Sequence, residues 1–126
     1  MIVADSDVLI DALRGQERVA GRISEELASG VLATTAVTAF ELLSGARTEG
    51  ALARVRTLLD AMTVLPLDAA ASDRAASIRR DLEARGSPIG MADYLIAGTC
   101  LSRSAALLTR NRAHFERVEG LRLGRL

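Results

Sequence analysis

The apolar positions of this chain switch between short unbroken runs and a spacing of three to four. Ile2-Val3-Ala4 is a run that stops abruptly at Asp5-Ser6-Asp7. It predicts a buried strand followed by a helix to about Leu13, with Ser6 or Asp7 as its cap. Val19, Ile23 and Leu27 fall at i, i+4 and i+8, so residues 17–28 read as an amphipathic helix. Val31 to Thr34 reads as a second strand, and Thr35 or Ala36 opens a helix through Leu43 to about Thr48. Residues 51–61 form another helix with Leu52, Val55, Leu58 and Leu59 inward. Thr63-Val64-Leu65 is a third strand closed by Pro66, and Asp68 caps a long helix to about Ala84. Gly90 starts a helix through Leu101, Ala105 to Thr109 is a fourth strand, and a short helical piece spans Asn111 to Phe115. Leu121 to Leu123 adds an edge strand.

Short apolar strands alternating with helices predict an α/β fold with a parallel sheet covered on both faces. The expectation is a three-layer α/β/α domain over residues 1–126, with four to five strands. In such sheets ligands bind beyond the carboxyl ends of the strands, near the point where the strand order reverses. That rule directs attention to the polar residues just after each apolar run.

Asp5 sits directly after the first strand, where it serves either as a helix cap or for chemistry. Glu41 is the only charge between Ala36 and Ala46. It either lies on a narrow solvent stripe with Thr38 and Ser44 or is a carboxylate held by a partner, since burying it alone is costly. Asp93 falls in the first turn of an otherwise apolar helix, where it favours the helix dipole or points a ligand into the same cleft. Asn111 follows the fourth strand, as a turn residue or as a carbonyl ligand. Three carboxylates and an Asn thus fall at the same edge of the sheet. Carboxylates gathered within several Å raise one another's pKa unless a cation intervenes. Mg²⁺ or Mn²⁺ is the expected cation, because a hard dication takes one or two carboxylates plus water and phosphate.

Composition narrows the chemistry. Of 126 residues, 49% are hydrophobic but only 2% aromatic, which suits a Leu, Val, Ile and Ala core of helices on a sheet. The 16 basic residues are all arginine and balance 16 acidic ones, so binding of nucleic acid by bulk charge is excluded. Contact with a polyanion then needs a local arginine patch plus a metal. Arg110 and Arg112, flanking Asn111, are the best-placed phosphate contacts, with Arg14, Arg79, Arg80 and Arg85 available to extend the track. Phe40 and Phe115 are expected in the core, which leaves little for base stacking. The single Cys100 forms no internal disulfide, and no leader-like or membrane-spanning run is present, so a cytoplasmic protein is expected. The single His114 removes any Ser-His-Asp arrangement near the other site residues and is expected on the surface, near Asn111.

Several segments then resemble one family. Asp5-Ser6-Asp7-Val8-Leu9-Ile10-Asp11 resembles the opening pattern of PIN-domain proteins, especially VapC toxins of toxin–antitoxin pairs. Thr38 to Ala46, around Glu41, is similar to the second motif of that family. Pro88 to Ala97, around Asp93, is similar to the third. Leu108 to Phe115 resembles the closing motif, and Gly120 to Leu123 the tail. The resemblance implies a Mg²⁺-dependent endoribonuclease that forms a homodimer and is neutralised by a small VapB-like antitoxin. It also implies that Asp5, Glu41 and Asp93 form the acidic metal site, with Ser6 keeping a hydroxyl that orients a ligand or phosphate. Many relatives carry a fourth acid in the closing motif, where this chain has Asn111 and His114. One ion held firmly and a second recruited with RNA is the corresponding expectation. Two other readings stay open. One is a PIN-like RNA- or protein-binding module whose site has decayed. The other is a small haloacid-dehalogenase-like phosphatase, which shares the Asp-x-Asp opening but normally needs a Lys that this chain lacks.

Overall fold

A computed structural model describes all residues from Met1 to Leu126. Four strands form one sheet: β1 (Ile2–Ala4), β2 (Leu32–Thr35), β3 (Thr63–Leu65) and β4 (Ala106–Leu108). Their spatial order is β3-β2-β1-β4, and every pairing is parallel. Seven helices connect them: α1 (Ser6–Leu13), α2 (Glu17–Ala28), α3 (Ala36–Gly45), α4 (Glu49–Asp60), α5 (Ala69–Ala84), α6 (Met91–Ser102) and α7 (Arg112–Phe115).

The strand residues explain the layers. Successive side chains on a strand face opposite ways. Val3, Ala33 and Leu107 join a core cluster with Ile78, Leu82, Ile96, Ala97 and Phe115, from α5, α6 and α7. Their neighbours Ala4, Leu32 and Leu108 join a second cluster with Val8, Leu9, Val19, Ile23, Leu42 and Val55, from α1 to α4. Both faces of the sheet are therefore covered, and the three-layer α/β/α expectation holds. The most intimate helix contact is between α5 and α6. A Cβ built on Gly98 would lie 2.6 Å from Ala71 O and from Ala75 Cβ, so only glycine lets these helices approach so closely.

Several boundaries differ from the sequence reading. The helix expected to run from Ala36 to about Thr48 ends at Gly45, because Thr48 turns extended and accepts from Ala51 N to cap α4. Leu121 to Leu123 contributes one bridge, Leu107 to Leu123, rather than a full edge strand. Phe40, expected in the core, is 69% exposed, since the sheet-facing side of α3 is filled by Thr38, Ala39 and Leu42. Phe115 is fully buried as expected, and Cys100 is a free, buried thiol. No helix is long and apolar enough to cross a membrane.

The order β3-β2-β1-β4 places the reversal between β1 and β4. Chain segments leave these two strands side by side, tied by Asp5 N donating to Leu108 O at 2.9 Å. The crevice above that bond is where a ligand belongs.

Candidate metal and catalytic site

Asp5 leaves β1 in an extended conformation and is itself the cap of α1, where Ser6 or Asp7 was expected. Its Oδ1 accepts from Ser6 N at 2.8 Å. Its Oδ2 accepts from Thr109 Oγ1 at 2.8 Å, and the residue is 5% exposed. Capping and a place in the cleft are thus combined in one carboxylate. Burial is the main reason its pKa rises to about 6; Thr109 opposes the rise, while Asp7 and Asp93 add to it.

Asp7 is the residue that sequence reasoning left aside as a spare cap. It stands in the first turn of α1, but its carboxylate turns across to β4. Oδ2 accepts from Arg110 N at 3.1 Å and lies 3.4 Å from Thr109 Oγ1, while Oδ1 is buried with no partner. The signal was present in the spacing. An acid two residues after Asp5 follows the same strand end, but only the β1–β4 pairing shows that both face Thr109.

Glu41 reaches the cleft from α3, whose start is fixed by Thr35 Oγ1 accepting from Thr38 N at 3.0 Å. Its Oε1 is buried without a partner. Its pKa is raised, first by burial and then by the charges of Asp93 and Asp7, while the Ser6 hydroxyl partly offsets this. Asp93 enters from the first turn of α6, positioned by Tyr94, whose buried hydroxyl accepts from Ile89 N at 3.1 Å and fixes the loop before the helix. Asp93 Oδ2 lies 3.0 Å from His114 Nδ1, and Asn111 Nδ2 lies 2.9 Å from the same ring nitrogen. His114, expected at the surface near Asn111, is 41% exposed at its side chain and also meets Asp93, and Asn111 reaches the same ring nitrogen.

The predicted site residues Asp5, Ser6, Glu41 and Asp93 thus gather at one crevice, with Asp7 added and Asn111 joined through His114. The arginines are less free than their spacing suggested. Arg110 Nε lies 2.9 Å from Asp11 Oδ2, an ion pair without a hydrogen bond's alignment. Arg112 Nη1 donates to Gly124 O at 2.9 Å. Beside Glu41 opens a cleft of about 270 Å³, lined by Ile10, Leu13, Leu42, Val55, Arg14 and Arg54 among others.

The donor set suits a hard dication. Two buried carboxylate oxygens, on Asp7 and Glu41, have no donor, and burying such atoms without a partner is costly. Burial first, and the charges of Asp7 and Asp93 after it, raise both Asp5 and Glu41, and a cation beside them would oppose that rise. As placed, no three of the His, Asp and Glu side chains are grouped closely enough to hold an ion.

Comparison with known proteins agrees with this geometry. The PIN domain model matches residues 2–121. A tRNA(fMet)-specific endonuclease VapC of Shigella flexneri is 38% identical over 100 residues, 76% of each chain. Ribonuclease VapC10 of Mycobacterium tuberculosis is 35% identical over 122 residues, 97% of this chain and 91% of the relative. The crystal structure of DNA-bound VapBC from Salmonella typhimurium superposes with a TM-score of 0.90 at 28% identity, over 98% of this chain and 96% of that one. The phosphatase reading falls with that match over nearly the whole chain. From strand order, carboxylate crevice and these relatives together, the chain belongs to the PIN-domain family, among the VapC ribonucleases.

Proposed function

We propose that this protein is a Mg²⁺- or Mn²⁺-dependent endoribonuclease, the toxin of a VapBC-type pair. The observation that carries the reading is the meeting of Asp5, Glu41 and Asp93 at the β1–β4 crevice, beside buried oxygens of Asp7 and Glu41 that lack donors. Asp5, Glu41 and Asp93 would hold the ion. When bound, it supplies positive charge that steadies the phosphodiester oxygens and lowers the pKa of an attacking water. With its pKa pushed up to about 6, Asp5 would hold the ion in its ionised form, so ion binding would weaken as pH falls through 6. Thr109 holds Asp5 Oδ2, and the Ser6 hydroxyl near Glu41 partly offsets the rise of that carboxyl. Arg110 and Arg112 lie at the rim as phosphate contacts, each able to exchange its present partner for a strand of RNA.

The partners belong to the same proposal. The VapBC complexes among the structural neighbours support an antitoxin partner. A homodimer is supported by the exposed apolar patch of Phe40, Leu67 and Met91 beside Glu41. Phe40→Asp is expected to leave the fold intact and yield a monomer by light scattering.

The deciding experiment incubates end-labelled RNA with the protein in Mg²⁺ or Mn²⁺, beside EDTA and an Asp93→Asn variant. Discrete fragments that vanish in both controls are expected. Cleavage that survives in Asp93→Asn would place the activity elsewhere, and a folded protein without any cleavage would favour the decayed binding module.

A further inference from the structure

We infer that Asp11 is a positioning residue for RNA: it holds the Arg110 guanidinium beside the crevice with its donors unspent, set to receive a backbone phosphate. The inference rests on the reading of Arg110 as a phosphate contact and deepens it. On this account the phosphate takes the exposed side of the guanidinium and no exchange of Asp11 is needed.

Nothing local calls for an acid at position 11. Asp11 stands in the last turn of α1, where a negative charge opposes the helix dipole. It lies four residues after Asp7, and like charges at that spacing on one helix face repel. Its side chain is only 12% exposed, and Oδ2 is buried without a hydrogen bond. Each of these is a cost, and a buried carboxylate is tolerated only when a counter-charge answers it. The one ion pair of Asp11 is with Arg110, whose Nε lies 2.9 Å from Oδ2.

Arg110 is consequently tied to α1 twice. Its backbone N donates to Asp7 Oδ2 at 3.1 Å, and its side chain lies against Asp11. Yet the pair with Asp11 is one of charge alone. Nε–H is out of line with Oδ2, and none of the five guanidinium N–H groups donates a hydrogen bond within the protein. Arg112, by contrast, spends Nη1 on Gly124 O. The Arg110 side chain is 58% exposed, so its free donors face solvent at the rim of the crevice. A planar guanidinium with uncommitted donors suits bidentate recognition of phosphate. A loose arginine would lose rotamer freedom on binding, and Asp11 removes part of that cost beforehand.

The opposite role is a latch, in which Asp11 competes with RNA for Arg110. Charge counting favours that role, because removing an acid beside a polyanion strengthens attraction. The two roles therefore give opposite signs for one substitution, Asp11→Asn.

The test measures binding of a short fluorescent single-stranded RNA of mixed sequence by anisotropy, in EDTA so that nothing is cut, over a series of salt concentrations. Wild type, Asp11→Asn, Arg110→Gln and the double variant are compared, all first shown folded by circular dichroism. Asp11→Asn is expected to bind about 2- to 10-fold more weakly. Its dependence on salt should match wild type, because Arg110 still meets its phosphate. Arg110→Gln should reduce the slope of log affinity against log salt by about 0.7, and Asp11→Asn should add nothing once Arg110→Gln is present. Should Arg110→Gln alone fail to fold, because it strands the Asp11 charge, the double variant set against Asp11→Asn yields the same change of slope. Tighter or unchanged binding by Asp11→Asn would overturn the inference and leave the nuclease reading standing. So would equal weakening with and without Arg110→Gln, which would make Asp11 a structural residue only. No binding by folded wild type even at low salt would remove Arg110 as a phosphate contact, and the inference with it.

Discussion

Thr109 Oγ1 donates to Asp5 Oδ2 at 2.8 Å, across 104 residues of chain. The same oxygen accepts from Asn111 N at 3.0 Å, so the hydroxyl proton is directed at the carboxylate. Thr109→Val keeps the shape and removes the donor. Asp5 should then rise further above its ordinary range, and stability should fall by about 1–3 kcal/mol because Asn111 N also loses its acceptor. Divalent-ion affinity should drop on the order of tenfold. Urea unfolding and ion titration check both, and unchanged affinity would show that Thr109 does not tune the site.

Asp5 also makes the ion-free protein sensitive to pH. Its folded pKa, about 6, lies above the ordinary 3.8, so the folded state holds its proton more tightly. The associated stability is fully present below pH 3.8 and is lost as pH rises through 6. The difference amounts to about 3 kcal/mol. In EDTA the stability contribution of Asp5 should therefore decline between about pH 4 and 6, a slope that saturating Mn²⁺ should reduce and Asp5→Asn should abolish. An identical slope in Asp5→Asn would assign the effect to other groups.

Asp7→Asn removes one of the charges that raises Asp5 and Glu41 while keeping an oxygen for Arg110 N. The ion-free variant should be as stable as wild type at pH 7 or more so, and should bind divalent ions about tenfold more weakly. Thermal shift with and without Mn²⁺ reads both effects. A variant that is less stable without the ion yet binds it normally would make Asp7 purely a support for the closing segment.

Gly98→Ala tests the contact between α5 and α6. The added methyl meets Ala71 O and Ala75 at 2.6 Å, so α5 and α6 must separate. Overpacking of this kind costs about 1–3 kcal/mol. A denaturation midpoint equal to wild type would mean that the two helices slide without penalty.

The layers and most element ends were legible in the sequence, because runs of two or three apolar residues and Asp or Thr caps obey local rules. Asp68 and Thr35 cap α5 and α3 as their positions suggested. The three acids were legible for the same reason, each lying just after a strand or early on a helix that follows one. What escaped was set by pairing between distant segments. Asp7 faces Thr109 only because β1 and β4 are neighbours, and His114 meets Asp93 only because α7 folds back over the start of α6. Phe40 was misread because the small residues Thr38 and Ala39 already fill the space beneath α3.

The join between Asp5, Asp7 and the Thr109-Arg110 segment has a consequence for how the protein is made. A ribosome releases the first acids long before it has synthesised the strand that orients them. The growing polypeptide therefore carries its carboxylates unassembled through nearly all of translation. The crevice closes into shape only once the segment around Thr109 and Arg110 has emerged, so a prematurely terminated product lacks the partners that orient Asp5 and Asp7.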